Sequence, residues 1–315
     1  MTRCPGCQVE LVASRCDSCG AAVAPGGFRV EALLSQTLHG RVYRAVSPAG
    51  VTVALKELVF ALAPDAQTID AFEREARLLA QLDHPATPRF VGSFREGAGI
   101  HLRLYLAQEL IEGEPLSQRL RRGPLPKDET KAIAKQALNV LAYLHDRRVL
   151  HRDVKPANVI VKPDGTISLV DFGVARELIK EVTHGGTLVG TFGYMPIEQL
   201  GGTVDARSDL YALGATLLHC ATGIQPGDLL KTDFSLDASR AGELRGWLEK
   251  MTALKRDDRY GSAGAALKGL DEPPAETKTP WRIRWRMFWA RFAEPRTPAW
   301  PEIVRLPPPR NRITL

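Results

Sequence analysis

The first part of the chain alternates apolar and polar positions with the period of β-strands. Three short runs between Phe28 and about Leu58 carry this pattern: FRVEALL, RVYRAVS and VTVALKEL. A polar break follows, and the spacing then predicts an amphipathic helix with one apolar face. That face consists of Ile69, Phe72, Ala76, Leu79 and Leu82. Two further strand-like runs, PRFVGSF and HLRLYLAQEL, complete a mostly β front segment.

From about Leu116 the pattern becomes helical, first in PLSQRLRRG and then in KDETKAIAKQALNVLAYLHDRR. Two short runs, NVIV and ISLV, flank the turn KPDG at residues 162–165 and predict a small hairpin. Helices are predicted over 205–221, 240–253 and 262–270, and a loop rich in Gly and Thr over roughly 174–195. This order predicts an α+β protein with a mostly β front lobe and a mostly α back lobe.

Composition and length fit a globular chain with short additions at both ends. The chain has 315 residues, of which 44% are hydrophobic and 25% charged. That length suits one two-lobed domain of roughly 250 residues plus appendages, or two ordinary domains. We divide the chain into a cysteine-rich module (1–21), a short linker (22–27), a main domain (28–271) and a tail (272–315).

The positive charge is concentrated in the tail. The net charge is +6, and residues 272–315 hold nine Lys or Arg against four Asp or Glu. The main domain is therefore close to neutral, which gives no general case for nucleic-acid binding. The first residues lack the apolar core of a secretory signal, and no apolar run is long enough to span a membrane. We expect a cytoplasmic protein.

The tail also contains an aromatic segment with the spacing of a helix. Its apolar face would carry Trp281, Trp285, Phe288 and Phe292, with arginines around it. Three roles are open: a peripheral contact with an anionic membrane surface such as the inner membrane, insertion into the groove of a partner protein, or packing on the back lobe. The proline-rich end that follows is expected to be disordered.

Four of the five cysteines lie in the first 19 residues, as Cys4, Cys7, Cys16 and Cys19. Two C-x₂-C knuckles close together can supply four thiolates to one structural Zn²⁺. Disulfides or a redox pair are the alternatives, although the clustering argues for a reducing compartment. Such a small module is expected to dock on the main domain or on a partner protein. Cys220 lies in an apolar helical run and is interpreted as a small core residue.

Two loops in the back lobe carry the candidate chemistry. The first reads His151-Arg152-Asp153-Val154-Lys155-Pro156-Ala157-Asn158, and the second, Asp171-Phe172-Gly173, begins thirteen residues after Asn158. They resemble the catalytic and metal loops of eukaryotic-like (Hanks-type) bacterial serine/threonine protein kinases, and the match extends in order from about 28 to 270.

The resemblance implies a bilobal protein kinase fold with an N-lobe at 28–108 and a C-lobe at 112–271. It also implies transfer of the γ-phosphate of ATP, with Mg²⁺ or Mn²⁺, to Ser and Thr hydroxyls of proteins, including the kinase itself, in intracellular signalling. Asp153 would accept the proton of the substrate hydroxyl. Lys155 would neutralise the γ-phosphate, and Asn158 and Asp171 would hold the metal.

Further ATP contacts follow from the same resemblance. Lys56 in VALK would grip the α- and β-phosphates and pair with Glu75 of the predicted helix, for which Glu73 is a rival. Gln108 would occupy the gatekeeper position, and the backbone of Glu109 and Ile111 would meet adenine. The remaining nucleotide contacts would come from Val42 and Ala54.

The phosphate-covering loop departs from the family pattern. The expected G-x-G-x-x-G frame falls on Ser35, Thr37 and Gly40, so only the third glycine is present. Because glycine lets the backbone approach phosphate closely, the two replacements could reduce nucleotide affinity or shift the loop. A second function class therefore stays open, a pseudokinase or scaffold that binds partners through the kinase fold and the zinc knuckle. A small-molecule kinase is disfavoured, because GTFGYMPIEQ resembles a peptide-binding activation segment.

This activation segment covers 171–198. Glu198 would pair with Arg259, and Asp209 would brace the catalytic loop. Thr191 would contact Asp153 and Lys155 and favour Ser or Thr substrates. Because Arg152 before the catalytic Asp needs an anionic partner, Thr183 and Thr187 are candidate autophosphorylation sites, with ordinary loop threonines as the alternative.

Overall fold

The computed structural model describes residues 3–5, 7–10, 15–18, 20–37, 40–58, 66–172, 193–199 and 203–271. All of these residues belong to one compact unit, Met1–Pro274. Among them, no helix has the length and apolar character that crossing a bilayer requires.

The front lobe is a five-stranded antiparallel sheet with one helix. The strands are β1 (Arg29–Thr37), β2 (Gly40–Val46), β3 (Thr52–Leu58), β4 (Phe90–Glu96) and β5 (Arg103–Glu109), in the spatial order β1-β2-β3-β5-β4. Helix α1 (Ala66–Leu79) follows β3. All five strands lie on the predicted alternating runs, so this part of the prediction is confirmed.

Alternation along β3 divides the front lobe into two layers, because successive side chains point to opposite faces of the sheet. Leu58 packs with Phe72 and Ala76 of α1 on one face. Leu55 packs on the other face with Tyr43 and with residues of the cysteine-rich module. The sheet is therefore covered on both sides, by the helix on one and by the N-terminal module on the other.

Helix α1 ends earlier than its apolar pattern suggests. Its last helical residue is Leu79, and Leu82 lies in a tight turn in which its N–H donates to the Leu79 carbonyl at 3.1 Å. Leu82 is nevertheless 8% exposed and part of the core. The periodicity correctly indicated burial here but not the end of the helix.

The back lobe is mostly helical. Its helices are α2 (Leu116–Leu120), α3 (Lys127–Asp146), α4 (Ala206–Thr222), α5 (Arg245–Met251) and α6 (Ala263–Asp271). A small sheet contains β6 (Glu114–Pro115), β7 (Val159–Val161) and β8 (Ile167–Leu169), of which the last two form the predicted hairpin.

Helix α4 is the buried axis of the back lobe, with twelve buried residues. It begins with a capping box in which Asp205 and Ser208 satisfy each other's backbone N–H groups. It ends at Gly223, whose φ of 70° is the left-handed conformation that favours glycine. Cys220 is fully buried on this helix, and burial raises the pKa of its thiol to about 12, as expected for an inert core cysteine.

A buried ion pair connects the end of the activation segment to the back lobe. Glu198 Oε1 lies 2.6 Å from Arg259 Nη1, and Glu198 Oε2 lies 3.2 Å from Arg259 Nη2, as the sequence predicted. Arg259 also donates to the backbone carbonyls of Ala253, Leu254 and Arg207. Because the guanidinium has five donors in a fixed fork, one side chain holds three segments together.

Replacing Arg259 by Met should destabilise the protein by about 3–5 kcal/mol, because the Glu198 carboxylate would stay buried without its partner. Urea unfolding followed by circular dichroism measures this loss. Arg245→Ala, which breaks the exposed pair with Glu249, is the matched control and should leave the midpoint nearly unchanged. Equal midpoints for the two variants would contradict a structural role for the buried pair.

Candidate active site and cysteine cluster

The catalytic loop, residues 151–158, runs from the end of α3 to β7 and is anchored by one buried carboxylate. Asp209 accepts hydrogen bonds from the backbone N–H of His151 at 2.9 Å and of Arg152 at 2.7 Å. His145 Nε2 lies 2.9 Å from the same carboxylate. Asp209 therefore joins α3, the loop and α4, which confirms its predicted bracing role.

The loop gathers three of the predicted site residues, two catalytic and one metal-binding. Lys155 Nζ lies 2.7 Å from Asp153 Oδ2, and Asn158 Nδ2 donates to the same oxygen at 2.9 Å and to the Asp153 carbonyl at 2.9 Å. The Asp153 side chain is 14% exposed and that of Lys155 26% exposed, so solvent reaches both. These contacts hold the Asp153 carboxylate in a fixed orientation.

The front lobe contributes a lysine to the same region. Lys56 Nζ on β3 lies 3.4 Å from Asp171 Oδ1, although the two residues are 115 positions apart in sequence. Asp171 has a φ of 57°, and Phe172 is buried with its ring centroid 4.8 Å from that of His151. Packing of Phe172 below the loop therefore fixes the position from which Asp171 meets Lys56.

The predicted nucleotide contacts share the Lys56 face of the sheet. Ser35 pairs with Val42, Val42 pairs with Lys56, and Ala54 pairs with Gln108. Directly opposite residues on antiparallel strands have side chains on the same face. The strand register therefore places these five side chains on one face of the sheet, the face on which the sequence predicts ATP.

Gly40 is required by packing. A Cβ atom at this position would lie 2.7 Å from the carbonyl oxygen of Glu57, closer than real Cβ contacts. The one glycine of the frame that the chain has kept is thus needed for the approach of β2 to β3. Backbone pairing joins Thr37 to Gly40 across the turn, whereas the Thr37 side chain lies outside the described residues.

The predicted adenine contacts lie at the end of β5. The Glu109 N–H donates to the Arg89 carbonyl at 2.8 Å, so an adenine contact at this residue would use the carbonyl oxygen. Ile111 follows in irregular chain between the lobes, and Gln108 is buried.

The side chains present have the chemistry of a Mg²⁺ site. Asn158 uses its Nδ2 atom to bind Asp153, so its Oδ1 atom is the one that can face a cation. Asp171 supplies a carboxylate, and hard cations prefer such oxygen ligands. The donor set therefore fits the divalent ion that the resemblance implies.

Several predicted positions lie outside the described residues: the Glu75 side chain, Gly173, Thr183, Thr187, Thr191, Cys19 and the tail from 272. Glu75 belongs to α1 by its backbone, and its pairing with Lys56 stays a prediction. The Glu73 side chain is exposed.

Sequence reasoning missed a second brace of the catalytic loop. Gln199 is buried and its Nε2 atom donates to the Arg152 carbonyl at 2.9 Å. It lies next to Glu198, so the ion-paired end of the activation segment also supports the loop. Gln199 is part of the GTFGYMPIEQ segment, but no pattern in the chain relates a polar side chain there to the Arg152 carbonyl.

The N-terminal cysteines form a compact cluster. The sulfur atoms of Cys4, Cys7 and Cys16 all lie within 4.8 Å of one another, and those of Cys7 and Cys16 are 3.5 Å apart. The latter distance exceeds a disulfide bond of about 2.05 Å and is near the roughly 3.8 Å between thiolates on one tetrahedral zinc. None of the described cysteines is in a disulfide.

The two knuckles share one backbone geometry. Cys4 N–H donates to the Val9 carbonyl and Cys16 N–H to the Ala21 carbonyl, five residues on in each case. Each cysteine carbonyl accepts from the residue four positions later, Gln8 or Gly20, and both of these have positive φ. The repeated turn gives Cys4 and Cys16 equivalent backbone positions, and their sulfurs lie close to that of Cys7.

The module is docked on the sheet through a buried acid that the sequence analysis did not single out. Glu57 is 0% exposed and accepts from Arg15 at 2.7 Å and from Tyr43 at 2.6 Å. Arg15 also donates to the Tyr105 hydroxyl at 2.7 Å. Within the predicted linker, the Ala22 N–H donates to the Tyr43 hydroxyl at 3.4 Å and Pro25 is buried, so this stretch packs on the lobe.

Comparison with known proteins agrees with this geometry. The family model described as protein kinase domain matches residues 28–252. The chain is 36% identical over 230 residues to serine/threonine-protein kinase pkn2 of Myxococcus xanthus, covering 70% of this chain and 27% of that protein. It is 33% identical over 214 residues to serine/threonine-protein kinase PknL of Mycobacterium tuberculosis, covering 67% of this chain and 53% of that protein.

Serine/threonine-protein kinase B of Synechocystis is 29% identical over 291 residues, with 83% of this chain and 49% of that protein covered. The chain thus spans about a quarter to half of the length of these curated relatives. A solved structure described as PpkA-294 apo form has a TM-score of 0.65 at 23% identity, with 78% of this chain and 96% of that chain covered, and shows the same fold.

Asp209→Asn should lower the free energy of unfolding at neutral pH by about 1–3 kcal/mol, because one buried backbone N–H loses its acceptor. Burial opposes the charged form of Asp209, but hydrogen bonds from His145 and Arg152 outweigh it and keep the pKa of this carboxyl below its ordinary value. The charged Asp209 carboxylate therefore stabilises the folded state fully at pH values above about 3.9, the pKa of Asp in the unfolded chain. This stabilisation is lost as the pH falls through the lower pKa that Asp209 has in the folded protein.

Denaturant unfolding of wild type and Asp209→Asn between about pH 7 and pH 3 tests this linkage. The difference in the free energy of unfolding between the two proteins should be constant at higher pH and become smaller below about pH 4. The control Asp228→Asn, at an exposed carboxylate, should show the same pH dependence of unfolding as wild type. An Asp209→Asn deficit that does not change with pH would show that the Asp209 charge is not what anchors the loop.

Proposed function

Because the chain belongs to the protein kinase family, we propose that it transfers the γ-phosphate of ATP to Ser and Thr hydroxyls of proteins, including its own. One observation carries the proposal: the front-lobe Lys56 lies 3.4 Å from Asp171, beside a loop in which Asp153 is held by Lys155 and Asn158. Phosphoryl transfer needs mainly positioning and charge neutralisation, which this arrangement supplies.

In the proposed step, the substrate hydroxyl oxygen forms a bond to the γ-phosphorus, and the bond from that phosphorus to the bridging oxygen of ADP breaks. The hydroxyl proton passes to the Asp153 carboxylate, and the electron pair of the broken bond goes to ADP. Lys155 neutralises the γ-phosphate, and Lys56 binds the α- and β-phosphates. Asn158 and Asp171 would hold Mg²⁺, which when bound neutralises phosphate charge.

The adenine ring would lie between the lobes, against Val42 and Ala54, with the Glu109 carbonyl and the Ile111 N–H as its backbone contacts and Gln108 behind it. The alternative of a pseudokinase or scaffold rests on Ser35 and Thr37. It is disfavoured because the lysine, the catalytic acid and the metal acid are all present, with Lys56 in contact with Asp171 and Lys155 in contact with Asp153.

We further propose that the N-terminal cysteines hold one structural Zn²⁺. Support comes from the three clustered sulfurs, the matched knuckle turns and the spacing that makes Cys19 the fourth ligand. A segment this short has little core of its own, and a metal would supply the missing cohesion.

Regulation is proposed at Thr183 and Thr187, whose phosphorylation would bring negative charge near Arg152 and order the loop. Thr191 would help select Ser and Thr substrates. The segment 281–292 remains a candidate for contact with a partner protein or a membrane surface, supported by its aromatic and arginine spacing.

Asp153→Asn should lower phosphate transfer from ATP to a generic basic protein by about 100-fold or more, because the proton acceptor is lost. Nucleotide binding should be retained, since Asp153 lies at the hydroxyl side of the reaction. Radiolabel incorporation and titration with a fluorescent nucleotide measure the two effects. Asp146→Asn, at an exposed carboxylate, should behave as wild type. A wild-type chain that binds nucleotide but transfers nothing would instead favour the scaffold.

Protein purified without chelators should contain about one zinc ion per chain, and Cys7→Ser should lower this content and the melting temperature. Elemental analysis and thermal unfolding measure both. Cys220→Ala, at the cysteine buried in α4, should keep the metal. Equal zinc contents in Cys7→Ser and wild type would exclude the cluster as the site.

A further inference from the structure

Lys56 and Glu57 are neighbours on β3, and the pleat places them on opposite faces of the sheet. Lys56 faces the nucleotide side and meets Asp171. Glu57 faces the cysteine-rich module and is fully buried there. A change in the contacts of the Glu57 side chain would therefore shift the same stretch of backbone that positions Lys56.

Glu57 is a buried charge with several partners. Besides Arg15 and Tyr43 it accepts from Arg41 at 3.3 Å and from Tyr105 at 3.1 Å, and Arg103 lies 3.9 Å away. Burial alone would raise the pKa of Glu57, but the hydrogen bond from Tyr43 and the charge of Arg15 lower it below its ordinary value. The carboxylate is thus kept ionised, and it depends on these partners.

Arg15 comes from the module and not from the kinase domain. It directly precedes Cys16 and donates to the Gly20 carbonyl at 2.6 Å, inside the second knuckle. Its distance of 2.7 Å to Glu57 Oε1 is shorter than that of the two β-strand arginines to this carboxylate. The orientation of the Arg15 guanidinium therefore depends on the fold of a knuckle that the cysteines hold together.

The phosphate-covering hairpin meets the same acid. Arg41, directly after Gly40, donates both to Glu57 and to the Gly20 carbonyl at 3.3 Å. The backbone of Gly40 lies against the Glu57 carbonyl so closely that a Cβ would not fit. Knuckle, hairpin and the Lys56 strand thus converge on one residue.

We propose that metal occupancy of the cysteine cluster controls nucleotide affinity through the Arg15–Glu57 contact, with Glu57 as a positioning residue for Lys56 and for the hairpin. The proposal rests on the zinc site proposed above. Loss of the metal by chelation would release Arg15, leave Glu57 with fewer partners and loosen β3 and the hairpin. The module would then make ATP binding dependent on the bound metal.

The test is titration of the full chain with a fluorescent ADP analogue, before and after zinc removal by a chelator under reducing conditions. Zinc content is measured in each sample, and circular dichroism confirms that the metal-free protein is folded at the temperature used. In wild type, zinc removal should weaken nucleotide binding by about fivefold or more, which is the lower end of usual coupling between two sites.

Variants at Arg15 separate coupling from general damage. Arg15→Ala keeps all four cysteines, so it should retain zinc but bind nucleotide more weakly, and zinc removal should then add little. Arg15→Lys keeps the charge without the fork and should be intermediate. Arg29→Ala, which removes an exposed arginine of β1 paired with Glu31, should respond to zinc removal as wild type does.

A steady-state readout distinguishes positioning from lost stability. Arg15→Ala should raise KM for ATP while KM for a protein substrate, bound by the back lobe, stays as in wild type. If the chain binds zinc but zinc removal leaves the nucleotide affinity unchanged, the proposed coupling is wrong and the proposed metal site still stands. A chain that binds no zinc would overturn the metal site itself. If Arg15→Ala does not fold, Arg15→Lys carries the comparison.

Discussion

The catalytic loop depends on one buried carboxylate. An irregular stretch of chain carries backbone N–H groups that must find acceptors, and helix α4 supplies them through Asp209, within its first turn. A negative charge at this end of a helix is also favoured by the helix dipole. Because Asp209 fixes the backbone of His151 and Arg152, the carboxylate of Asp153 that follows has a defined position. The position of the catalytic carboxylate therefore depends on a contact made in the core.

A second buried carboxylate has the corresponding role in the front lobe. Glu57 holds the outer layer of the sheet as Asp209 holds the loop, but one of its partners, Arg15, comes from a module that precedes the matched kinase domain. A buried acid is costly unless its hydrogen bonds and counter-charges are complete. Arg15 supplies part of that compensation. The module is consequently integral to the lobe, although the family model begins only at residue 28.

Most strands and helices could be predicted because their apolar spacing is regular, and the catalytic loop because its residues follow a known order. Glu57 shows why other features were missed. On β3 it continues the apolar face of Val53 and Leu55, so its position in the pattern indicates a buried acid. Its module partner, Arg15, however, lies 42 residues away in sequence within an unrelated segment. Periodicity reports which face is buried and does not report which charge approaches it. Gln199 was missed for the same reason, since its contact with the Arg152 carbonyl is purely tertiary.

The phosphate-covering hairpin combines these constraints. Replacing glycine by Ser35 restricts the backbone, and Arg41 ties the next strand to the knuckle and to Glu57. Gly40 is kept where packing demands it. A hairpin braced in this way has less conformational freedom to lose when a nucleotide binds, because the ordering has already occurred on folding. Ser35 and the docked module therefore act in the same direction, because both restrict the backbone of the hairpin before a nucleotide binds.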